Sequence, residues 1–382
     1  LFGNVRNAEL KAIGLIGPLT FISGNQSVGT LVGIAENVDI TGIFGNGRVV
    51  GLEDDGAHTA AGGLIGWARN SRIATIYFSG EVIAHGDDAG GLIGSIEGDS
   101  LKYSFSTAKV RSDYHYGALA TKSTSLSVSE NYWVTGLNDD PYSSVGLSRS
   151  LQQLQCATKS NQYQCSGYTV FQSWPTEVDS PDEPHWDFGT ETQLPGLVLS
   201  GRIYRDSDGD GLIGGDDLLP NDFDNDGVDD AQDDLPFNPA ASVDTDGDGR
   251  PDGWNPNCDT QCQSDSGLVL DTDWDGDGVD NEADAFPLNS AASVDDDNDG
   301  LPDACYGLCG DSGLTLDPYP NDTDNDGVPS DEDAFPLQAE ASSDMDGDGR
   351  PDRWNDNCNS QCQRESELEL DPDIDGDGIN NG

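Results

Sequence analysis

Between Asp206 and Asp377 the chain sets aspartates on alternate residues eight times, and each run ends in glycine: D-x-D-x-D-G. Few patterns restrict folding as strongly. Two carboxylates about 4 Å apart repel by about 4 kcal/mol at an effective dielectric of about 20, and each run holds three. Such a segment stays solvated and open unless a cation gathers its charges.

The charge is unevenly spread. Of 382 residues 72 are acidic and 17 basic, a formal net charge of -55. Residues 1–200 hold 21 acids and 11 bases (-10), and residues 201–382 hold 51 and 6 (-45). That sign excludes a nucleic-acid partner, because phosphate binding needs the opposite one. No apolar run is long enough to span a bilayer, so no membrane insertion is expected.

The acidic runs repeat as units. Asp222, Asp273, Asp322 and Asp373 open one type of run, 51, 49 and 51 residues apart; Asp244, Asp295 and Asp344 open a second type, 51 and 49 apart. Each unit reads as an acidic loop, an "AFPL"-like hinge, a second acidic loop, a cysteine pair and a Leu-x-Leu-Asp exit. An irregular loop at Asp206 precedes them.

In "DFDNDGVDDAQD" (222–233) oxygens stand at positions 1, 3, 5, 9 and 12, with glycine at 6. Alternate carboxylates converge when such a loop curls, and a backbone carbonyl at 7 completes an oxygen shell for a hard cation. The expected ligands are Asp222, Asp224, Asp226, Asp230 and Asp233 with the Val228 carbonyl. Calcium suits this set better than magnesium, which demands a stricter octahedron, and better than zinc, which prefers thiolate or imidazole. Pro236, Pro287 and Pro336 follow soon after their loops, which excludes the long exiting helix of an EF-hand.

What remains resembles the thrombospondin type 3 repeat, in which the chain wraps calcium with little regular secondary structure. The resemblance spans about residues 206–382. Carried onto this chain it implies Asp273, Asp275, Asp277, the Val279 carbonyl, Asn281 and Asp284; then Asp322, Asp324, Asp326, the Val328 carbonyl and Asp333, with Ser330 a weak ninth position. The second-type loops would use Asp244, Asp246, Asp248, the Arg250 carbonyl and Asp252; Asp295, Asp297, Asp299, the Leu301 carbonyl and Asp303; and Asp344, Asp346, Asp348, the Arg350 carbonyl and Asp352. Their twelfth positions are Asn255, Tyr306 and Asn355, so a neighbouring segment is expected to supply the missing ligand. The first loop offers Asp206, Asp208, Asp210 and Asp217, with Gly214 at position 9. The last offers Asp373, Asp375 and Asp377 and stops at Gly382 before position 12, so either further chain or a neighbouring molecule is expected to complete it.

Eight cysteines fall into four close pairs: 156/165, 258/262, 305/309 and 358/362. An even set at regular spacing in an acidic, repetitive chain reads as local disulfides and an oxidising, extracellular setting.

The first half repeats differently. "VGTLVG" (28–33), "AGGLIG" (61–66 and 89–94) and "YGALAT" (116–121) recur 33, 28 and 27 residues apart. Each is followed by a polar turn and an alternating, β-branched and aromatic stretch, the pattern of a strand. One repeat cannot bury its own face, so stacking into a β-solenoid over 1–140 is expected. These residues resemble the GLUG-motif repeats of bacterial surface proteins, and "NYWVTG" (131–136) with "WDFGTETQLPGLVL" (186–199) resembles the closing cap of such arrays, expected over 141–200. "SRSLQQLQCA" (148–157) reads as a short helix in that cap with Ser148 as N-cap. The chain opens inside patterned sequence, which suggests a longer precursor.

Little points to catalysis. "GDSG" (310–313) resembles a protease nucleophile motif around Ser312, but its repeat counterparts are "SDSG" and "RESE". His58, His85 and His115 fall in turns and His185 in the cap; Asp54–Asp55 and Asp87–Asp88 are expected to be solvated. The sequence therefore predicts a mainly β protein, a solenoid with its cap followed by an extended, calcium-stabilised rod over 201–382. It would be secreted or on the cell surface, non-catalytic, and self-associating or bound to other surface or matrix proteins. The alternative is the spacer of a large surface hydrolase.

Overall fold

The computed structural model describes residues 1–382 except 18–20, 53–58, 87, 99, 122–129, 139–144, 156–169, 172, 175–182, 190–191, 308–311 and 381–382. The chain is mainly β and divides into two compact units, Leu1–Ser242 and Val243–Gly382.

The first unit is built on parallel pairing between repeats. Strands Phe2–Arg6, Val32–Glu36, Ile65–Arg69 and Ile93–Glu97 form one sheet, and Ala60–Gly62, Asp88–Gly90 and His115–Gly117 another. In the largest sheet the strands Asp39–Gly51 and Arg72–Ala84 pair over their whole length, Asp39 opposite Arg72 and Gly51 opposite Ala84. The pairing offset is one repeat. Leu31, Leu64, Leu92 and Leu119, the fourth residues of successive glycine motifs, therefore fall one above another. Each is fully buried, and the N–H of each of the first three donates to the carbonyl of the next at 3.0 Å.

The motif glycines follow from this closeness. A Cβ on Gly62 would lie 1.9 Å from the Ile65 carbonyl oxygen, and one on Gly63 would lie 2.3 Å from both the Gly91 carbonyl oxygen and the Phe78 ring. Only glycine lets the backbones approach so far.

The largest sheet has a second, aromatic face. Phe44, Tyr77, Phe105 and Tyr132 stand in register on adjacent strands. Ring centroids are 5.2 Å apart for Phe44–Tyr77 and 4.4 Å for Tyr77–Phe105. Val170, Phe171, Trp174, Trp186, Leu194, Leu197 and Leu199 cover them. The Trp186 indole donates to the Tyr103 carbonyl at 3.0 Å and that of Trp174 to Glu130 at 3.1 Å. The described part of the expected closing segment thus lies along the flank of the stack, where the exposed aromatic row needs cover.

The expected short helix is present at Leu151–Leu154, but its N-cap is Ser150, not Ser148. Ser150 and Gln153 exchange side-chain and backbone bonds at 3.1 Å in a capping box, whereas Ser148 sits in strand Leu147–Arg149.

The first unit extends past the composition break at 200/201 to Ser242 because the earliest acidic loops dock on the sheet. Asn46 Nδ2 donates to the Gly211 carbonyl at 2.6 Å, Thr107 Oγ1 to Gly209 at 2.9 Å, and the Tyr77 hydroxyl to Asp206 Oδ2 at 3.2 Å.

The second unit has no strand among its described residues and two short helices, Thr260–Ser266 and Cys362–Glu365. The first is capped by Asp259, which accepts from the Gln261 and Cys262 amides, and ends on Gly267 at φ +73°. Buried apolar residues among those described are few: Ala292, Phe335 and Ala341, with Cys258, Cys358 and the prolines Pro251, Pro302 and Pro351. Disulfides join Cys258 to Cys262 and Cys358 to Cys362, as the spacing predicts. Cys305 is also disulfide-bonded; its expected partner Cys309, and the pair Cys156 and Cys165, lie outside the described residues. No helix among the described residues is long and apolar enough to cross a membrane.

Candidate metal-binding loops

One hydrogen-bond pattern recurs in all eight acidic runs. The amide of the position-6 glycine donates to Oδ2 of position 1 at 2.7–3.1 Å. The position-5 amide donates to Oδ1 of position 3 at 3.0–3.4 Å. The position-7 amide (Leu212, Val228, Arg250, Val279, Leu301, Val328, Arg350 and Ile379) donates to Oδ1 of position 5 at 2.6–2.9 Å. The backbone thereby fixes one oxygen of the carboxylates at positions 3 and 5; the other accepts from a neighbouring segment at Asp210 (Asn225, 2.9 Å), Asp297 (the Asp322 amide, 2.6 Å), Asp299 (Asn325) and Asp326 (Asn355).

Carboxylate oxygens gather within the runs. In the triads led by Asp206, Asp222, Asp244, Asp273 and Asp295, one carboxylate oxygen from each residue lies within 4.8 Å of the others, and three further acidic groups do the same. Of 22 buried side-chain polar atoms without a hydrogen-bond partner among the described residues, 15 are aspartate oxygens between Asp208 and Asp373. Orphaned buried oxygens are costly unless something meets them. The groups are all oxygen, which suits a hard cation.

Positions 9 and 12 close the first-type loops. Asp230 Oδ1 accepts from the Phe223 amide at 2.8 Å and Asn281 Oδ1 from Trp274 at 2.9 Å, while the Ser330 hydroxyl takes the same place beneath Thr323 at 3.0 Å. Asp233, Asp284 and Asp333 each accept from the amide two residues on at 2.6–2.7 Å and keep a buried, partnerless Oδ2. In the first loop Asp217 accepts from Leu219 at 3.0 Å, and Gly214 offers no side chain. In the second-type loops the ninth residues Asp252, Asp303 and Asp352 accept from Thr245, Asp296 and Met345 at 3.1–3.2 Å. Two of their twelfth residues turn elsewhere: the Tyr306 hydroxyl pairs with Ser293 at 3.0 Å, and Asn355 accepts from Ser342 at 2.8 Å.

Position 4 carries a requirement not drawn from the sequence. It is always glycine or asparagine, and its φ is positive in every loop: Gly209, Asn225, Gly247, Gly276, Asn298, Asn325, Gly347 and Gly376, between +60° and +102°. These are the residues that enter the left-handed region most readily. The restriction to two residue types was the available signal.

Crowding shows in the protonation equilibria. Burial first, then neighbouring carboxylates, push Asp208 up to about 9, Asp224 and Asp230 to about 7, and Asp233 and Asp324 to about 6. Burial likewise raises Asp206 to about 7. A divalent ion reverses this preference by attracting the charged form.

The remaining candidates stand apart from these loops. His85 is exposed and faces Asp113 at 3.4 Å, His115 is exposed, and His185 Nδ1 meets the Glu183 carbonyl at 2.9 Å. Asp88 begins strand Asp88–Gly90, and the Ser312 carbonyl accepts from Asn289 at 3.3 Å. Asp54, Asp55, His58, Asp87, Gly310 and Asp311 lie outside the described residues. No family model, curated protein or solved structure matches this chain.

Proposed function

We propose that this chain is a non-catalytic, extracellular calcium-binding structural protein: a β-solenoid of GLUG-like repeats joined to thrombospondin type 3-like repeats that calcium folds into a rod. It serves as a stalk, adhesin segment or matrix subunit. The observation that carries the reading is the convergence of carboxylate oxygens in the acidic runs, beside buried aspartate oxygens that no hydrogen bond meets. Calcium accepts the irregular all-oxygen shells these loops present. Binding energy becomes folding energy where the apolar core is scant, and local disulfides restrain the intervening segments. Affinity on the order of 0.1–1 mM, that of extracellular modules, is expected.

The test is limited proteolysis and small-angle scattering with calcium and after EGTA. Chelation should expand Val243–Gly382 and expose it to protease while most of Leu1–Ser242 persists. Unchanged profiles would overturn the reading.

A further inference from the structure

We propose that each second-type loop is closed by the exit aspartate of its own unit, so that Asp271, Asp317 and Asp371 are calcium ligands for the loops opening at Asp244, Asp295 and Asp344. The inference rests on the calcium reading above and names ligands that the loop motif does not contain.

The second-type loops carry Asn255, Tyr306 and Asn355 in place of a twelfth carboxylate. Tyr306 and Asn355 occupy that position in two of them, and both are committed to serine hydroxyls. Asn355 also donates through Nδ2 to Asp326 and to the Ala339 carbonyl.

The exit aspartates reproduce what the first-type twelfth residues do. Asp233, Asp284 and Asp333 accept through Oδ1 from the amide two residues on and leave Oδ2 buried and partnerless. Asp271 accepts through Oδ1 from Asp273 at 3.1 Å, Asp317 from Tyr319 at 2.7 Å, and Asp371 from Asp373 at 2.8 Å. Their Oδ2 atoms are again buried without a partner, and the residues are only 9 %, 4 % and 9 % exposed. An ionised carboxylate with one oxygen desolvated and unmet persists only where a charge answers it.

Their placement is equally regular. The amides of Asp271, Asp317 and Asp371 donate to the carbonyls of Pro251, Pro302 and Pro351 at 2.9–3.0 Å. Those prolines are the eighth residues of the second-type loops and directly precede the ninth ligands Asp252, Asp303 and Asp352. The exit aspartate is therefore stitched to the loop it would complete. The chain returns 22–27 residues after the loop opens, which is why a contiguous twelve-residue motif misses the ligand.

The experiment is calcium titration of the full chain, by calorimetry and equilibrium dialysis, with and without Asp271→Asn, Asp317→Asn and Asp371→Asn combined. Asparagine keeps the acceptor for the amide two residues on and replaces the free oxygen with a donor, so the turn survives and the ligand is lost. The triple variant should lose three ions, or bind them roughly tenfold or more weakly, while Tyr306→Phe keeps the full number. Should the triple variant misfold, the three single variants are titrated, and each should lose one ion. Wild type that takes up no calcium would sink the calcium reading itself. Wild type that binds calcium alongside aspartate variants with unchanged number and affinity would overturn this inference alone.

Discussion

Asparagine at a fourth loop position sits at φ near +60°, where a Cβ crowds the following carbonyl oxygen, and a β-branched residue there costs about 1–2 kcal/mol more than glycine. Asn298→Gly should therefore leave calcium binding unchanged, and Asn298→Val should weaken it by roughly fivefold to twentyfold in that loop; titration of the two variants separates the outcomes. A second residue-level effect concerns protons. The raised values of Asp224, Asp230 and Asp233 mean that the ion-free folded state holds more protons than the unfolded chain from about pH 4 to about pH 7. Stability then falls as pH rises across that window. With calcium the sign reverses, because the ligands must be deprotonated. Proteolysis of residues 206–242 should thus be slower at about pH 5 than at about pH 8 in chelator, and slower at about pH 8 in excess calcium. The acidic runs whose carboxylates cluster were legible in the sequence, since alternation and a fixed glycine are backbone requirements written one residue at a time. The exit aspartates were not, because their role depends on a chain return that no local pattern encodes.

Among the elements, strands were the more legible and helices the less. The stretches after the glycine motifs carry β-branched and aromatic residues that the fold buries on both faces, and their spacing equals the pairing offset, so "SRIATIYFSGEV" became a strand from Arg72 to Ala84. The helix Thr260–Ser266 has no apolar face to betray it; it follows from the Asp259 cap and the Gly267 stop. Likewise Ser148 and Ser150 both precede the short helix, and only the return bond from Gln153 chooses between them. Two expectations belong to this level. Gly62→Ala would drive a methyl to within 1.9 Å of the Ile65 carbonyl oxygen and 2.4 Å of the Gly94 amide. That overpacking should cost about 1–3 kcal/mol and lower the melting point of the first unit by several degrees. Tyr77→Phe removes a donor from buried Asp206 while keeping the aromatic row, and should cost about 1–2 kcal/mol by denaturant unfolding.

For the whole molecule, one feature of the first unit limits how the array can vary. Parallel pairing alone places no bound on the number of repeats: each adds about 4.8 Å and offers the same edge to the next. The covering segment is different, because it meets Phe44, Tyr77, Phe105 and Tyr132 together, one from each of four successive repeats, and the loop that follows it rests on Asn46, Tyr77 and Thr107. It works as a gauge cut to a fixed count. Losing or duplicating one repeat of 27–33 residues would keep the sheet pairing intact yet set every aromatic below the change out of step with its cover. Variation in length should therefore be tolerated in the acidic units, which repeat without a shared strap, and resisted in the stack.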